Sequence, residues 1–403
     1  MKLNRSFSLL LLGQSLANIG DVLYIVSVIN IIFKLKGSAT AASFVPFTIA
    51  TSMFISSLLT PLLTEKYNLK WLLAGSQIGK TILLFILGFM LIGLTQSNYY
   101  FIFVLIGLIA YFDGCANPIR QTLTPYYVKP EQLIQANGIA ETVTQVIQAG
   151  MWFVGSSLLI IMSPQELIWL VGCLFVISSV LLCLLTNVGH TAVSTEQKGK
   201  LEMIKQGWRT VFNTPVLTRI SWIEFLETIA ATVWIAAILY IFVKEALHVN
   251  EQWWGFINGA NFLGLILGSA YCIKYSAFVE RNLRSFIFIG SLISCLFTLL
   301  FSLNSTPIIG LVLSLGVGLF GQIKRIPQQM VIQTSVSKGQ LATVYTSLGA
   351  IGTGIFGIGS LITGLLADLL GIRSVFVISG LLLAVVSIIA YNNRRLFVTN
   401  IIE

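Results

Sequence analysis

The chain of 403 residues is 56% hydrophobic and only 10% charged, with a mean hydropathy of +0.88, whereas a soluble domain carries roughly 25% charged residues. A water-soluble core cannot hide that much apolar surface; a bilayer can, because a helix crossing ~30 Å of hydrocarbon needs about 20 mainly apolar residues. The net charge of +9 comes from basic residues scattered singly through short polar gaps, a pattern that excludes a dense basic stretch and predicts no nucleic-acid partner.

In chain order, apolar runs of spanning length predict helices at 7–33, 40–63, 71–94, 99–120, 138–161 and 167–186, and after a polar gap at 217–243, 254–273, 285–303, 307–326, 342–366 and 374–391. The expected fold is an all-α membrane protein of twelve transmembrane helices in two six-helix bundles, pseudo-two-fold related. The bundles are residues 1–186 and 217–395, joined by a cytoplasmic linker at 187–216 with an amphipathic helix and followed by a cytoplasmic tail at 396–403. The first run follows Lys2 and Arg5 as a signal peptide would, but it is too long for one and carries Gln14, Asn18 and Asp21, so it reads as a retained first span. Cys115, Cys173, Cys183, Cys272 and Cys295 all fall in apolar runs without metal-ligand spacing and read as small packing residues.

With both termini inside, nineteen Lys and Arg fall on the cytoplasmic side, among them Arg120, Lys324 and Arg325. Lys34, Lys36, Lys244 and Arg373 fall outside, and Lys80 within a span. This asymmetry predicts a multi-pass protein of the cell membrane with cytoplasmic termini. Gly255 with Gly259, and Gly264 with Gly268, form small-residue pairs that let helix backbones approach, and span eleven carries a run of glycines from Gly349 to Gly364.

Two nucleotide-binding patterns are set aside. Gly352, Gly354 and Gly357 spell a dinucleotide fingerprint inside a helix-length apolar run, and Ala74 to Thr81 is one glycine short of a phosphate loop within span three. The histidines are His190 in the linker and His248 in an outer loop, with no catalytic or metal constellation around them, so no enzyme activity, metal or cofactor is expected. What the spans do carry is charge, and each mid-span charge costs on the order of 3 kcal/mol, so such groups pair, protonate or face water. Lys80 and Asp113 lie at similar depth, about 10–14 Å from the cytoplasmic side, and form a possible intramembrane ion pair. Glu224 and Glu227 share one helix face and would repel if both ionised, so one of them is expected to take up a proton. Gln14 and Asn18 lead to Asp21 at helical spacing and make a polar stripe, read either as interhelical glue or as a cavity wall. Asp21, Asp113, Glu224 and Glu227 are therefore the proton or substrate candidates. Trp152, Trp222 and Trp234 are aromatic groups equally suited to a ligand or to the lipid belt.

The run Asn117-Pro118-Ile119-Arg120-Gln121-Thr122-Leu123-Thr124-Pro125, continuing through Glu131, Leu133 and Ala136-Asn137, resembles the link between helices four and five of major facilitator superfamily drug exporters, nearest to their macrolide-efflux and enterobactin-exporter branch. Gly13-Gln14, Gly207-Trp208-Arg209 with Pro215, and Gln329 to Thr334 before the glycine-rich span add to the resemblance, and Pro118, Arg120, Pro125 and Asn137 are its link residues. It implies alternating access and export of hydrophobic or amphipathic small molecules, usually by proton antiport, with substrate, protons and membrane lipid as partners and a monomer as the working unit. The loop Thr60 to Lys70 lacks the glycine and aspartate of the superfamily's gating motif, and Gly150-Met151 stands where its antiporter motif has glycine-proline. A dedicated siderophore or metabolite exporter is the alternative within transport; a lipid-handling or signalling membrane protein is the alternative outside it.

Overall fold

A computed structural model of the chain describes residues 4–36, 39–64, 66–95, 98–188, 200–234, 236–250 and 252–397. His190, Lys198 and most of the tail lie outside the described residues. The helices are α1 (Arg5–Lys36), α2 (Ala39–Thr64), α3 (Leu69–Met90), α4 (Tyr100–Tyr127), α5 (Leu133–Ile161), α6 (Pro164–Cys183), α7 (Lys200–Asn213), α8 (Pro215–Ala231), α9 (Ala236–Glu245), α10 (Gln252–Lys274), α11 (Ser276–Arg281), α12 (Leu283–Leu303), α13 (Pro307–Thr334), α14 (Lys338–Leu370) and α15 (Ile372–Asn392). Among the described residues ten helices are long and apolar enough to cross a membrane, or eleven when α8 and α9 count as one broken span; α5, of 29 residues, stands at the fifth expected position.

Local chemistry sets the helix ends. Ser163 accepts from the Glu166 backbone while the Glu166 carboxylate accepts from the Ser163 backbone, a reciprocal cap that opens α6 with Pro164 in its first turn. The Asn68 side chain caps α3 by accepting from the Lys70 backbone at 2.9 Å. Gly371, at φ 83°, turns the chain between α14 and α15 in the left-handed region that only glycine enters freely.

The helices are inside out relative to a soluble protein. On α3, Lys80 is 1% exposed, whereas Ile78, Ile82 and Ile86 are 40%, 55% and 47% exposed on the opposite face. That pattern is stable only where hydrocarbon is the solvent.

The chain divides into two compact units, one of residues 1–128, 146–208 and 338–353, the other of residues 129–145, 209–337 and 354–403, so α5 and α14 contribute to both. In the first unit, Leu23, Val28, Leu84, Ile106, Val171 and Phe175 form the apolar core. In the second, Phe242, Phe301 and Phe376 stack with Trp234, whose ring centroid lies 5.0 Å from that of Phe301. The amphipathic helix expected in the linker is α7, and it packs so closely on the start of α14 that a Cβ at Gly207 would fall 2.6 Å from the Thr343 carbonyl oxygen.

Three expectations need correction. Span seven is not continuous: α8 is bent against α9 by 49° at a 3-10 turn over Thr232–Trp234, where Thr232 is hydrogen-bonded to Thr363 of α14 at 2.6 Å. Span four does not end at 120, because α4 runs on through Pro118 and Pro125 to Tyr127. Transmembrane helices tolerate such prolines, and the hydroxyls of Thr122 and Thr124 bond back to the carbonyls of Pro118 and Arg120. Finally, Gly255 and Gly259 bring no backbone close, for a Cβ on either would meet nothing within 4 Å. The close approach is made by Gly264 and Gly268 of α10, which face the Leu315 and Leu319 backbone, and by Gly318 of α13, which faces the Asn261 carbonyl.

A side chain at Gly264 must therefore push α10 and α13 apart. Gly264→Val should cost about 1–3 kcal/mol, read as a lower melting temperature in detergent. Gly349→Ala, where a Cβ meets nothing within 4 Å, should be neutral or stabilising by up to about 1 kcal/mol.

Candidate functional site

The first unit buries one ammonium group. The apolar run of α3 carries Lys80 inward with Gln77 and Thr81, and its Nζ donates to Asp21 Oδ1 at 2.7 Å and Oδ2 at 3.0 Å. It also donates to Asp113 Oδ1. Asp21 comes from α1 and Asp113 from α4, so one side chain ties three helices together. The Phe175 ring of α6 lies 4.9 Å from the ammonium and covers it from a fourth helix. The burial is unequal: Lys80 is sealed at 1% exposure while each carboxylate keeps 18%. Around the triad, Thr81 pairs with Ser179 at 3.1 Å, and Tyr24 is buried one turn beyond Asp21.

The ion pair expected from sequence between Lys80 and Asp113 is thus one arm of a three-residue arrangement. Asp21 belongs to it, whereas Gln14 and Asn18 bond each other at 3.0 Å earlier on α1.

A second charged cluster occupies the second unit. Lys324 of α13 is buried and donates to Glu227 Oε1 of α8. Glu224, one turn earlier, makes no ion pair among the described residues; the charges that act on it most strongly are Arg325, Glu227 and Lys324. Arg325 is exposed, with Glu141 of α5 as its strongest electrostatic partner, ahead of Glu224 and Glu227. Glu141 in turn accepts from Gln329 at 2.9 Å and from Gln322 at 3.3 Å. Glu224 and Glu227 thus act on each other as expected, with the basic groups Lys324 and Arg325 standing beside them.

Lys324 and Arg325, expected near the cytoplasmic end of span ten, lie well within α13. The apolar run fades after residue 326, but α13 continues to Thr334 and sets both ten residues or so from its end. Neither they nor Glu141 were legible as site residues; the signal available was the continuation Gln328 to Thr334, whose residues are helix-compatible and mostly buried. Arg120 likewise lies inside α4, and Pro118 and Pro125 are helical rather than in a link. Asn137 is buried in α5, donating to Gln333 Oε1 at 2.8 Å and accepting from its amide at 3.2 Å. Trp234 is part of the aromatic core and Trp222 is 49% exposed; the side chain of Trp152 lies outside the described residues.

Removing the ammonium leaves two carboxylates facing each other in an apolar interior. Lys80→Met should destabilise the protein by about 3–5 kcal/mol, seen as lost yield and a lower melting temperature. Exchanging the charges, Lys80→Asp with Asp113→Lys, should restore folding that Lys80→Asp alone abolishes; no rescue by the exchange would show that the two do not act as a pair.

The comparisons with known proteins agree with this architecture. The chain is 29% identical to the uncharacterized MFS-type transporter YfmI of Bacillus subtilis (strain 168) over 398 residues, covering 98% of this chain and 97% of the relative. It is 28% identical to YjbB of the same organism over 401 residues, covering 98% and 96%. Among solved structures it superposes on the E. coli fucose:proton symporter FucP with a TM-score of 0.77 at 15% identity, covering 96% of this chain and 98% of that one. The human organic anion transporter MFSD10 follows at 0.74 and 11% (96% and 99% covered), and a bacterial homologue of the iron transporter ferroportin at 0.73 and 16% (96% and 98% covered). Residues 10–356 match the Major Facilitator Superfamily, so this multi-pass, all-helical chain with the major facilitator fold belongs to that superfamily of transporters.

Proposed function

We propose that this transporter exports hydrophobic or amphipathic small molecules across the cell membrane in exchange for protons, working as a monomer by alternating access with Asp21, Asp113, Glu224 and Glu227 as its proton or substrate groups. The observation that carries the reading is the sealed Lys80 held by two partly exposed carboxylates from different helices. Two carboxylates and one ammonium cannot all be matched, so the group holds a fractional demand for one more positive charge, which a proton or a cationic substrate can meet. Support for export, as opposed to uptake, comes from the resemblance of the run Asn117 to Asn137 to drug exporters of the macrolide-efflux and enterobactin-exporter branch. The excess of basic residues in the segments read as cytoplasmic supports termini and linker on the inner side.

In everted vesicles with an acid interior, ethidium or erythromycin should accumulate, release protons and lose its accumulation when the gradient is collapsed. Accumulation that ignores the gradient, or no proton movement with either probe, would remove proton antiport. Glu227→Gln should abolish gradient-driven transport while the protein remains inserted; unchanged transport would take Glu227 out of the mechanism. Alkaline phosphatase fused within the linker should be inactive, and activity there would invert the topology.

A further inference from the structure

The hydrogen bonds within the Lys80 triad are unequally shared. An ammonium has three N–H donors, and in this structure they meet both oxygens of Asp21 and one oxygen of Asp113. Four carboxylate oxygens thus compete for three donors, and the one left over is Asp113 Oδ2, which has no hydrogen-bond partner among the described residues. From α1 the titratable groups at this level are Asp21 and Tyr24, and from α3 the group is Lys80. On α4 itself they are Tyr111 and Cys115, while α2 packs here with Met53 and Ser56 against Gly114, the residue after Asp113. Both carboxylate side chains keep 18% of their surface exposed while Lys80 keeps 1%, so what separates Asp113 from Asp21 is the unshared oxygen.

We propose that the two aspartates have different tasks: Asp21 is the fixed counter-charge that keeps Lys80 buried, and Asp113 is the exchangeable carboxylate that takes up and releases the proton. When Asp113 Oδ2 accepts a proton, the Lys80–Asp113 contact passes from an ion pair to an ammonium–carboxyl hydrogen bond and the ammonium keeps a complete ionic partner in Asp21. The triad then passes between a net single negative charge and neutrality without stranding the lysine. The reverse assignment does not have this property, since protonating Asp21 would leave Lys80 with a carboxylate that meets only one of its donors. The inference deepens the proton-coupled reading and rests on it for its role in transport, but the assignment of the proton stands on the triad alone.

The test is difference infrared spectroscopy of the reconstituted protein across a pH titration, following the C=O stretch of protonated carboxyl groups. Asp113→Asn should lose a titrating band that Asp21→Asn retains, and Asp113→Glu should bring a band back. The melting temperature gives a second readout: Asp21→Asn should lower it more than Asp113→Asn, because it removes two of the three bonds to Lys80. A spectrum of Asp113→Asn identical to that of the unaltered protein, or loss of the band in Asp21→Asn alone, would overturn the assignment. If Asp21→Asn cannot be obtained folded, the comparison of Asp113→Asn and Asp113→Glu with the unaltered protein still decides. Failure of proton release on adding ethidium or erythromycin, with the band intact in these spectra, would instead sink the antiport reading and leave the assignment of the proton in place.

Discussion

An ammonium group removed from water must be compensated at once, and the first unit of this protein is arranged around that requirement. The effective cost of burying an ion is several kcal/mol even after relaxation, and Lys80 is 1% exposed. No single carboxylate on a neighbouring helix meets all three of its donors while leaving the charge balanced against the surrounding hydrocarbon. Asp21 and Asp113 together over-satisfy it. Three helices, α1, α3 and α4, are consequently held at fixed rotation about their axes, because turning any one of them withdraws a charge from the group.

The second unit meets the same requirement with different parts. Lys324 and Glu227 join α13 to α8, much as Lys80 and Asp21 join α3 to α1, so each unit has a lysine on one span paired to a carboxylate on another. There the likeness stops. The second cluster adds an exposed arginine and a glutamate held by two glutamine amides, and its carboxylate-bearing span is the one that breaks, at Thr232–Trp234. Breaks of this kind free backbone groups within the membrane, and here the aromatic packing of Trp234 against Phe301 and Phe376 closes around the bend. One fold thus carries a compact charge group in one unit and a distributed one in the other.

How much of this was readable in advance follows from what periodicity and hydropathy can register. Helix positions were legible to within a few residues, since lipid demands a long apolar stretch wherever a helix crosses. Legibility failed where a helix continued in polar residues: α13 past 326 and α4 past 120 both look like loops by hydropathy, yet residues 328 to 334 and 122 to 125 are largely buried within the protein rather than facing lipid. Lys324, Arg325 and Glu141 fall inside the expected spans 307–326 and 138–161 but close to their ends, where a charge reads as belonging to the water side rather than to a site. Lys80 and Asp113 were legible as a pair because both interrupt otherwise apolar spans at matching depth. The third member, Asp21, was assigned to a stripe with Gln14 and Asn18, because spacing along one helix says nothing about which neighbouring helix a side chain meets.

Stability alone does not account for charges in such places. Replacing a buried ion pair by well-packed apolar residues of similar volume is often neutral or stabilising by 1–4 kcal/mol or so, and α3 has no shortage of isoleucine and leucine with which to fill the position. A lysine with two acids is also a poor choice of glue, because the second acid adds repulsion between carboxylates that a one-to-one pair would avoid. What the extra carboxylate adds, on the proton assignment proposed above, is a second charge state reached by one proton. A site with two such states can bind a charge on one side of a membrane and surrender it on the other, whereas a balanced pair would hold its charge in both positions. The imbalance within the triad is therefore the feature on which the proposed proton coupling rests.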